Sequence, residues 1–577
     1  MNNYLPHASP TIPHADRVPD ARAVSPIIEK WGVFILAVIS AGMLLVALNN
    51  IDLWAPDEPR YAQVAREMAQ GEEYILLRVN GEKYADKPPL YFWLVILCSK
   101  ITGGINEVSV RMPSALAGVG VVLLTFALGK KLFGARAGFL AGLVLLSNVY
   151  FIIISRSAHM DLPLTLIVML MIYAFYHAWE RGACLWWTWP LFFFLGALGV
   201  MMKGPVGFLL PVMACLLFSL LRRDWRAWHW SAALGAVVFA AILSAWLLLL
   251  WQRGGDEHLR ETLLGQNIGR VAGEASHDRP VAYFLGVFPG IFMPWSPLFV
   301  LALAAAFSRG WGKEKAAAAI LLPAVWFAVV FVFFTAIPSK RTLYMLPLFP
   351  AAALLVGRLL DSLISGGASR RAEAFSKWLM ALPLGIVALL SMIGLLVLAW
   401  FQFRGDEQTM VFIETVKRNY GAVIIFSVTL CMLGTTGASA ALRKRWPGAV
   451  TAMILMGLTL GFATVFIFSP MGNNQKSARV FSEKLNETVG ESEVVWYGDL
   501  REGVIYYSGR RFRVLAEAED VAEYFSGKSA RARYCAMREK YYPRIKKACR
   551  EKDIDISEPI VRERVGGKTL ILLKRQW

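Results

Sequence analysis

Residues 54–89, WAPDEPRYAQVAREMAQGEEYILLRVNGEKYADKPP, form a polar stretch inside an otherwise apolar chain. The run before it, residues 31–48, carries no charge and is long enough to cross a bilayer, which takes roughly 17 to 25 residues. Charged side chains at a lipid boundary are costly unless they are paired or bind something. The stretch therefore predicts a membrane protein with a functional surface just outside its first span.

Composition indicates an integral membrane protein. Of the 577 residues 56% are hydrophobic and 18% are charged, with a mean hydropathy of +0.48. This composition excludes a single soluble domain and indicates many transmembrane helices. In a soluble chain the net charge of +18 would suggest a nucleic-acid ligand. Here we assign the basic excess to short loops beside anionic headgroups, and we predict no nucleic-acid partner.

Fourteen apolar runs are candidates for transmembrane spans. The run at 88–103 is the doubtful one, because it is short, begins with two prolines and carries Lys87 and Lys100 at its ends. The candidates are residues 31–49, 88–103, 111–130, 136–155, 161–180, 186–202, 204–221, 228–251, 281–306, 315–337, 342–361, 377–402, 420–441 and 448–469.

The positions of the basic residues decide between thirteen and fourteen spans. If 88–103 lies along the membrane surface, four basic turns fall on the same side as the N-terminus, in agreement with the positive-inside rule. We therefore predict a polytopic α-helical protein with about thirteen spans, a cytoplasmic tail at 1–30 and a transmembrane domain at 31–470. No small-residue cleavage site follows the first apolar run, so we expect it to remain as a helix. The basic turns are 130–136, 222–226, 309–315 and 443–445.

Residues 471–577 are richer in charge than the rest of the chain and predict a small periplasmic α/β domain. Its strand-like runs are 494–497, 513–515 and 569–573, and its helix-like runs are 521–525 and 535–548. Cys535 and Cys549 would lie in an oxidising compartment, where Pro543 would bend the chain between them. A disulfide and two free thiols are equally compatible with the sequence.

Acidic residues stand at the outer ends of two predicted helices. Asp57 and Glu58 lie between prolines before a helix-like stretch, and Asp161 begins a span after a short turn. Acids at helix N-termini often act as caps, which would account for Asp161 and for one carboxylate of the adjacent pair. The alternative is catalytic, with Asp57 as a base or orienting group and Asp161 in support. The residues alone leave both interpretations open.

Basic residues on the predicted outer face indicate the class of ligand. Lys87, Lys203, Arg270 and the pair Lys340-Arg341 all lie there, against the general charge bias. They suit an anionic headgroup such as a lipid phosphate, although contact with bulk phospholipid would explain some of them. The sequence contains no phosphate-binding glycine loop, CxxC pair or HExxH motif. We therefore predict no metal site or soluble cofactor, and a divalent ion is not indicated.

The outer-face motifs occur in an order that resembles the lipid A aminoarabinose transferases. These belong to the GT-C clan of polyprenyl-phosphate-dependent membrane glycosyltransferases, which includes the protein O-mannosyltransferases. The resemblance covers residues 30–470 and implies two juxtamembrane helices, near 58–70 and 88–101. The motifs are LWAPDEPRYA at 53–62, YADKPPLYFW at 84–93, SRSAHMDLP at 155–163, KGP at 203–205, NIGR at 267–270 followed by HDRP, and PSKRTLYMLPLFP at 338–350.

The resemblance also implies roles for individual residues. Asp57 matches the family's catalytic aspartate, and Asp161 matches a second important acid. The pocket for the lipid phosphate would comprise Lys87, Arg270, Tyr344 and, as a weaker match, Lys203. The wall of the donor cavity would comprise Arg60, Tyr61, Tyr84 and Asp86.

The predicted function is inverting transfer of 4-amino-4-deoxy-L-arabinose from undecaprenyl phosphate to lipid A phosphates, a modification that confers polymyxin resistance. We expect a monomer in the bacterial inner membrane, surrounded by membrane lipids, with its site on the periplasmic face. A related enzyme for another sugar or for a protein hydroxyl remains an alternative. A lipid transporter or flippase is a more remote one, because it would carry charges midway through its spans.

Overall fold

A bundle of apolar helices forms most of the protein. The computed structural model describes residues 26–181, 186–265, 279–308, 315–403, 420–527 and 533–576. Within these ranges nine helices are long and apolar enough to cross a membrane, or eleven spans if each of two bent helix pairs is one. Three shorter apolar helices are Leu90–Thr102, Thr188–Lys203 and Val206–Arg222. All the candidate runs are helical over most of their length, while the count of thirteen spans stays a prediction.

The long helices differ in how deeply they are buried. Thr342–Ile364 is central, because 89% of the residues in its most apolar stretch are buried. Ser231–Leu263 and Arg370–Trp400 are peripheral, with 17% buried in each. The other long helices are Pro26–Leu44, Glu107–Phe133, Asp161–Arg181, Ala318–Ala336, Tyr420–Leu442 and Trp446–Met471. The bent pairs are Ala135–Leu146 with Val149–Ser155, at 71°, and Tyr283–Ile291 with Ser296–Ala306, at 114°.

The polar stretch after the first span folds into two helices joined by a short hairpin. Helix Asp57–Gln70 is followed by antiparallel strands β1 (Arg78–Val79) and β2 (Glu82–Lys83) and then by helix Leu90–Thr102. Thirteen residues at 1.5 Å each cannot cross a hydrocarbon core of about 30 Å. Helices are thus present at both places for which the resemblance implies juxtamembrane helices, and their position beside the membrane stays a prediction. The buried face of the first one follows helical spacing through Tyr61, Val64, Ala65 and Met68.

The C-terminal region is an α/β domain with a five-stranded sheet of order β4-β3-β5-β7-β6. Strand β3 runs parallel to β4 and β5, and β7 runs antiparallel to β5 and β6. The helices Arg479–Val489 and Glu502–Ser508 cover one face, and Ala518–Ser526 and Tyr542–Glu551 cover the other. The periplasmic location of this domain stays a prediction. The strands are β3 (Val494–Tyr497), β4 (Arg513–Leu515), β5 (Tyr534–Arg538), β6 (Val561–Val565) and β7 (Lys568–Lys574).

The prediction of a helix at 535–548 is wrong in its first half. Tyr534–Arg538 is the central strand β5, and the helix begins only at Tyr542, with Pro543 in its first turn. A strand buried on both faces lacks polar alternation, so its pattern does not distinguish it from a helix. Cys535 and Cys549 are both buried and both free, so the disulfide is not formed in the structure.

The C-terminal domain sits on the polar stretch that follows the first span. Arg66 donates a hydrogen bond to the carbonyl oxygen of Tyr506 at 2.6 Å, and its guanidinium stacks 4.0 Å from the centre of the Tyr506 ring. The hydroxyl of Tyr507 accepts the backbone N–H of Leu53 at 2.7 Å. These contacts connect the domain to the segment that carries Asp57.

Candidate active site

Asp57 lies at the start of the first juxtamembrane helix and is only 6% exposed. Its Oδ2 accepts a hydrogen bond from Nη2 of Arg341 at 2.5 Å and lies 3.9 Å from Nδ1 of His159. Burial alone would raise the pKa of Asp57, but Arg341, with smaller effects of His159 and Lys87, holds that pKa below its ordinary value. Asp57 is therefore an ionised carboxylate at neutral pH, matched by one arginine.

The turn that supplies Arg341 is held in place by its neighbour. Lys340 is 3% exposed and donates hydrogen bonds to the carbonyl oxygens of Ile337, at 2.5 Å, and Arg279, at 3.2 Å. The two adjacent cations therefore have different tasks. Lys340 fixes the backbone of the turn, and Arg341 reaches Asp57.

Glu58 has a separate, buried partner. Arg111, 1% exposed, donates hydrogen bonds to both carboxylate oxygens of Glu58, at 2.8 and 2.7 Å. Its remaining N–H groups reach the carbonyl oxygens of Leu48, Ile51 and Asp52, each at 2.7 Å. Glu58 also accepts hydrogen bonds from two backbone N–H groups. This network is structural, since it fastens the end of the first span to the Glu107–Phe133 helix.

The second predicted acid is also paired with a cation. Asp161 begins the Asp161–Arg181 helix, is 5% exposed and forms a close ion pair with Lys203, the last residue of Thr188–Lys203. The Lys203 ammonium also lies 4.7 Å from the centre of the Tyr344 ring, within cation–π range. The structure thus brings together three predicted residues from three different helices. Asp161 therefore does more than cap the helix that it begins.

Two buried tyrosines flank Asp57. Tyr61 packs edge-on against Tyr91 and Phe92, with ring centres 5.7 and 5.8 Å away. Tyr84 lies in the loop after β2 and is 8% exposed. Burial raises the pKa of both hydroxyls, and the charge of Asp57 acts in the same direction. Both phenols therefore remain protonated and able to donate a hydrogen bond.

Arg60 lies at the border between the loop and the C-terminal domain. Its guanidinium forms an ion pair with Glu502 at 2.6 Å. Burial alone would lower the pKa of Arg60, but Glu502, together with Tyr84 and Asp57, raises it. Arg60 is therefore a firmly charged group close to Asp57, and its role in the donor cavity stays a prediction.

The remaining predicted residues could be located only in part. Asp86 and Lys87 lie, partly buried, in the bend before the second juxtamembrane helix, and Lys87 is near enough to act on the charge of Asp57. Arg270 lies outside the described residues, and so does most of the tail at 1–30. Their predicted roles are not tested by the structure.

The sequence did not single out His159, and it indicated Arg341 only as one of two adjacent cations, without a link to Asp57. Burial lowers the pKa of His159, partly opposed by Asp161 and Asp57, so the imidazole is neutral at pH 7. Both residues lie within motifs already quoted, SRSAHMDLP and PSKRTLYMLPLFP. Their position at outer span ends was the available signal, but which neighbour of each acid would contact it depends on the packing of distant helices.

Each central carboxylate of the site is matched by its own cation. Among the described residues, no three or more His, Cys, Asp and Glu side chains converge to hold a metal ion. The three pairs are Asp57–Arg341, Asp161–Lys203 and Glu58–Arg111.

An apolar cavity of about 530 Å³ lies among three other helices of the bundle. It is lined by side chains of Tyr283–Ile291, Ser296–Ser308 and Lys315–Ala336, among them Phe331. Phe334, one helical turn after Phe331, stacks on the Tyr344 ring at 5.1 Å between centres. One helix thus carries both a wall residue of the cavity and a ring that contacts Tyr344.

Sequence comparison finds similarity to lipid-linked sugar transferases. Residues 86–249 match a family described as dolichyl-phosphate-mannose-protein mannosyltransferase. The chain is 31% identical over 333 residues to the undecaprenyl phosphate-alpha-4-amino-4-deoxy-L-arabinose arabinosyl transferase of Pseudomonas aeruginosa, covering 56% of this chain and 59% of that protein. It is 30% identical over 313 residues to an uncharacterised protein of Aquifex aeolicus, covering 54% and 60%. The chain thus spans about three fifths of the length of these curated relatives.

Structural comparison finds a similar fold over nearly the whole chain. The crystal structure of ArnT from Cupriavidus metallidurans bound to undecaprenyl phosphate matches with a TM-score of 0.73 at 20% identity, covering 94% of this chain and 97% of that one. The predicted fold class, a GT-C membrane fold, is confirmed. The chain is thus similar in sequence to the undecaprenyl phosphate-aminoarabinose arabinosyl transferases and similar in fold to ArnT.

Proposed function

We propose that the protein is an inverting glycosyltransferase that moves 4-amino-4-deoxy-L-arabinose from undecaprenyl phosphate to lipid A phosphates. The observation that carries this proposal is the buried Asp57–Arg341 pair, on the loop that also bears Lys87. The Pseudomonas aeruginosa relative is named for this donor, and the ArnT structure contains undecaprenyl phosphate. The protein would act as a monomer in the inner membrane, with its N-terminus cytoplasmic and its site periplasmic.

The cations would stabilise the leaving group. As an oxygen of the acceptor bonds to the anomeric carbon, the bond from that carbon to the donor phosphate breaks and leaves undecaprenyl phosphate. Lys87, Arg270 and Tyr344 would hold this phosphate, because fixed positive charge and hydrogen-bond donors lower the barrier where negative charge develops. Lys203 would support Tyr344 through its contact with the ring.

The state of Asp57 favours a phosphate acceptor over a hydroxyl. A hydroxyl must lose a proton, and an efficient general base has a pKa near the working pH. The pKa of Asp57 is instead held low by its pair with Arg341. A lipid A phosphate is already anionic and needs no base. Asp57 would therefore orient the sugar, through its amine, and stabilise positive charge on the anomeric carbon.

The apolar cavity supports a lipid-linked substrate. Its walls are almost entirely hydrocarbon, and the helix that supplies Phe331 to the wall also carries Phe334, which stacks on Tyr344. A prenyl chain with a phosphate at its end would place apolar and anionic parts where the protein offers matching surfaces.

A protein hydroxyl is the second candidate acceptor. The match of residues 86–249 to a protein mannosyltransferase family favours it. Such an enzyme would need a base with a raised pKa beside the acceptor.

The test is mass spectrometry of lipid A from a strain that makes the lipid-linked aminoarabinose but lacks its own transferase. Expression of the chain should add aminoarabinose to lipid A, and the Asp57→Ala variant, at equal membrane level, should not. Unmodified lipid A with the intact chain present would refute the assignment. Proteomic search for a sugar on periplasmic proteins would then examine the second candidate.

A further inference from the structure

Glu502 of the C-terminal domain contacts the helix that carries Asp57. Oε1 of Glu502 accepts a hydrogen bond from Nε of Arg60 at 2.8 Å and lies 2.6 Å from Nη2 of the same guanidinium. Glu502 begins the Glu502–Ser508 helix, and Arg60 lies three residues after Asp57 on the first juxtamembrane helix. The two partners come from opposite ends of the chain, 442 residues apart.

Other contacts between the first loop and the C-terminal domain hold the segments on either side of this pair together. Arg66 binds and stacks on Tyr506, one and a half turns further along the helix. On the hairpin side, Asn80 and Phe512 exchange two hydrogen bonds, Asn80 Nδ2 to the Phe512 carbonyl and the Phe512 N–H to Asn80 Oδ1, both at 2.8 Å. The docking of the domain therefore does not depend on the Glu502–Arg60 pair alone.

Glu502 also decides which carboxylate Arg60 serves. Arg60 has a second acid within its electrostatic reach, Asp57, one helical turn earlier. Asp57 already binds Arg341. Without Glu502, the Arg60 guanidinium would turn toward Asp57 and compete with Arg341, because a partly buried cation needs a partner. With Glu502 in place, each cation has its own acid.

We propose that Glu502 is a positioning residue of the transferase, which holds Arg60 against the donor cavity and away from Asp57, so that the C-terminal domain completes the active site. The inference rests on the proposed function. It assigns to the domain a part in catalysis, beyond docking on the membrane or solubilising the outer face.

The test compares Glu502→Gln with a matched variant of the full-length protein in lipid nanodiscs. Glu563→Gln is the control, because Glu563 is paired with Lys484 on an exposed part of the same domain. With a lipid-linked aminoarabinose donor, Glu502→Gln should lower kcat at least tenfold with a smaller change in KM. Its melting temperature should match that of Glu563→Gln. Equal kcat in the two variants would overturn the proposal.

A charge exchange separates positioning from docking. The double variant Arg60→Glu with Glu502→Arg restores an ion pair between the domains but reverses the charge at position 60. If the pair only docks the domain, this variant regains activity, and the inference is wrong. If Glu502 positions a required cation, the double variant stays inactive, while Glu502→Asp keeps part of the activity.

A second readout does not depend on the sugar. Modification of Arg60 by phenylglyoxal, followed by peptide mass spectrometry, should be faster in Glu502→Gln than in Glu563→Gln. An unchanged rate would count against positioning even if the intact chain shows no transfer. Absence of transfer by the intact chain, with Arg60 protected by Glu502, would refute the proposed function and leave the Glu502–Arg60 coupling standing.

Discussion

Asp57 and Glu58 are neighbours in the chain but belong to different networks. Asp57 faces Arg341 from a turn 284 residues away, and Glu58 faces Arg111 within the wall of the bundle. One carboxylate binds a cation of a distant turn, and the other fastens the loop that carries both acids. Substitutions at the two positions should therefore fail in different ways.

Asp57→Asn should abolish transfer without unfolding the protein. The change removes the charge that faces Arg341 but preserves the shape of the side chain. Loss of one such electrostatic group costs about 10²-fold to 10³-fold in kcat. The measurement is kcat in nanodiscs, with Glu82→Gln on the exposed hairpin as control. Undiminished kcat in Asp57→Asn would remove this residue from the mechanism.

Glu58→Gln should act on stability. It leaves Arg111 buried and without its carboxylate, a change that costs about 3–5 kcal/mol. We expect a clearly lower melting temperature in detergent and poor recovery from membranes, whereas Asp57→Asn is recovered normally. A Glu58→Gln protein as stable as the wild type would show that the Arg111 network is not needed for folding.

His159 should make the protein less stable in mild acid. Its pKa in the folded state lies below the ordinary value near 6.5, so the unfolded chain binds a proton at a pH where the folded one does not. By linkage, stability then falls as the pH drops from 7 to 5. Asp57 adds no slope there, since its pKa is below about 4 in both states.

The measurement is the melting temperature between pH 7 and 5. The His159→Asn variant should show a flatter dependence than the wild type. His229→Asn, in a different and half-buried turn, should keep the wild-type slope. Parallel curves for all three proteins would contradict the assignment.

The motifs indicated two acids that the structure places in buried ion pairs, but they did not indicate the partners. Asp57 and Asp161 could be found because each stands in a recognisable motif at a span end. Arg341 could not be separated from Lys340, since both are cations of one turn and only the packing decides which one reaches across. The contact of Arg60 with Glu502 could not be foreseen either, because nothing local to either residue indicates a partner 442 positions away.

At the level of elements, length and charge predicted the short helix Leu90–Thr102. The pattern of apolar and polar residues did not predict strand β5. Leu90–Thr102 is too short to span, and this follows from counting residues. Tyr534–Arg538 is buried between two helical layers, so both of its faces are apolar and its period is lost. Pairing with β3 and β7, which are distant in sequence, makes it a strand.

The burial of Cys535 and Cys549 predicts how their thiols react. Cys535 and Cys549 are buried in one core, and burial raises the pKa of the Cys549 thiol to about 11. Both should resist maleimide in the folded protein and react fully after denaturation without reductant. Peptide mass spectrometry would show the result, and a disulfide-linked peptide from freshly purified protein would contradict it.

For the whole molecule, the orientation of the bundle can be tested by two positions. Lys100 and Arg223 are both exposed, and our topology puts the first outside and the second inside. In intact spheroplasts, an impermeant maleimide should label Lys100→Cys and not Arg223→Cys, with the wild-type protein as background. If residues 88–103 crossed the membrane, the two results would be exchanged, and the count of thirteen spans would be wrong.

The contacts of the first outer loop differ in when they become available during synthesis. Arg111 finds its partners among residues 48–58, so this network can close once two spans have been made. The partners of Leu53 and Arg60 come from residues 502–507, near the end of the chain. A nascent or truncated protein would thus contain Asp57 early and gain the contact of Arg60 with Glu502 last. If Glu502 has the proposed role, the chain is inactive while it is being synthesised. It then consumes no lipid-linked sugar until translation is complete.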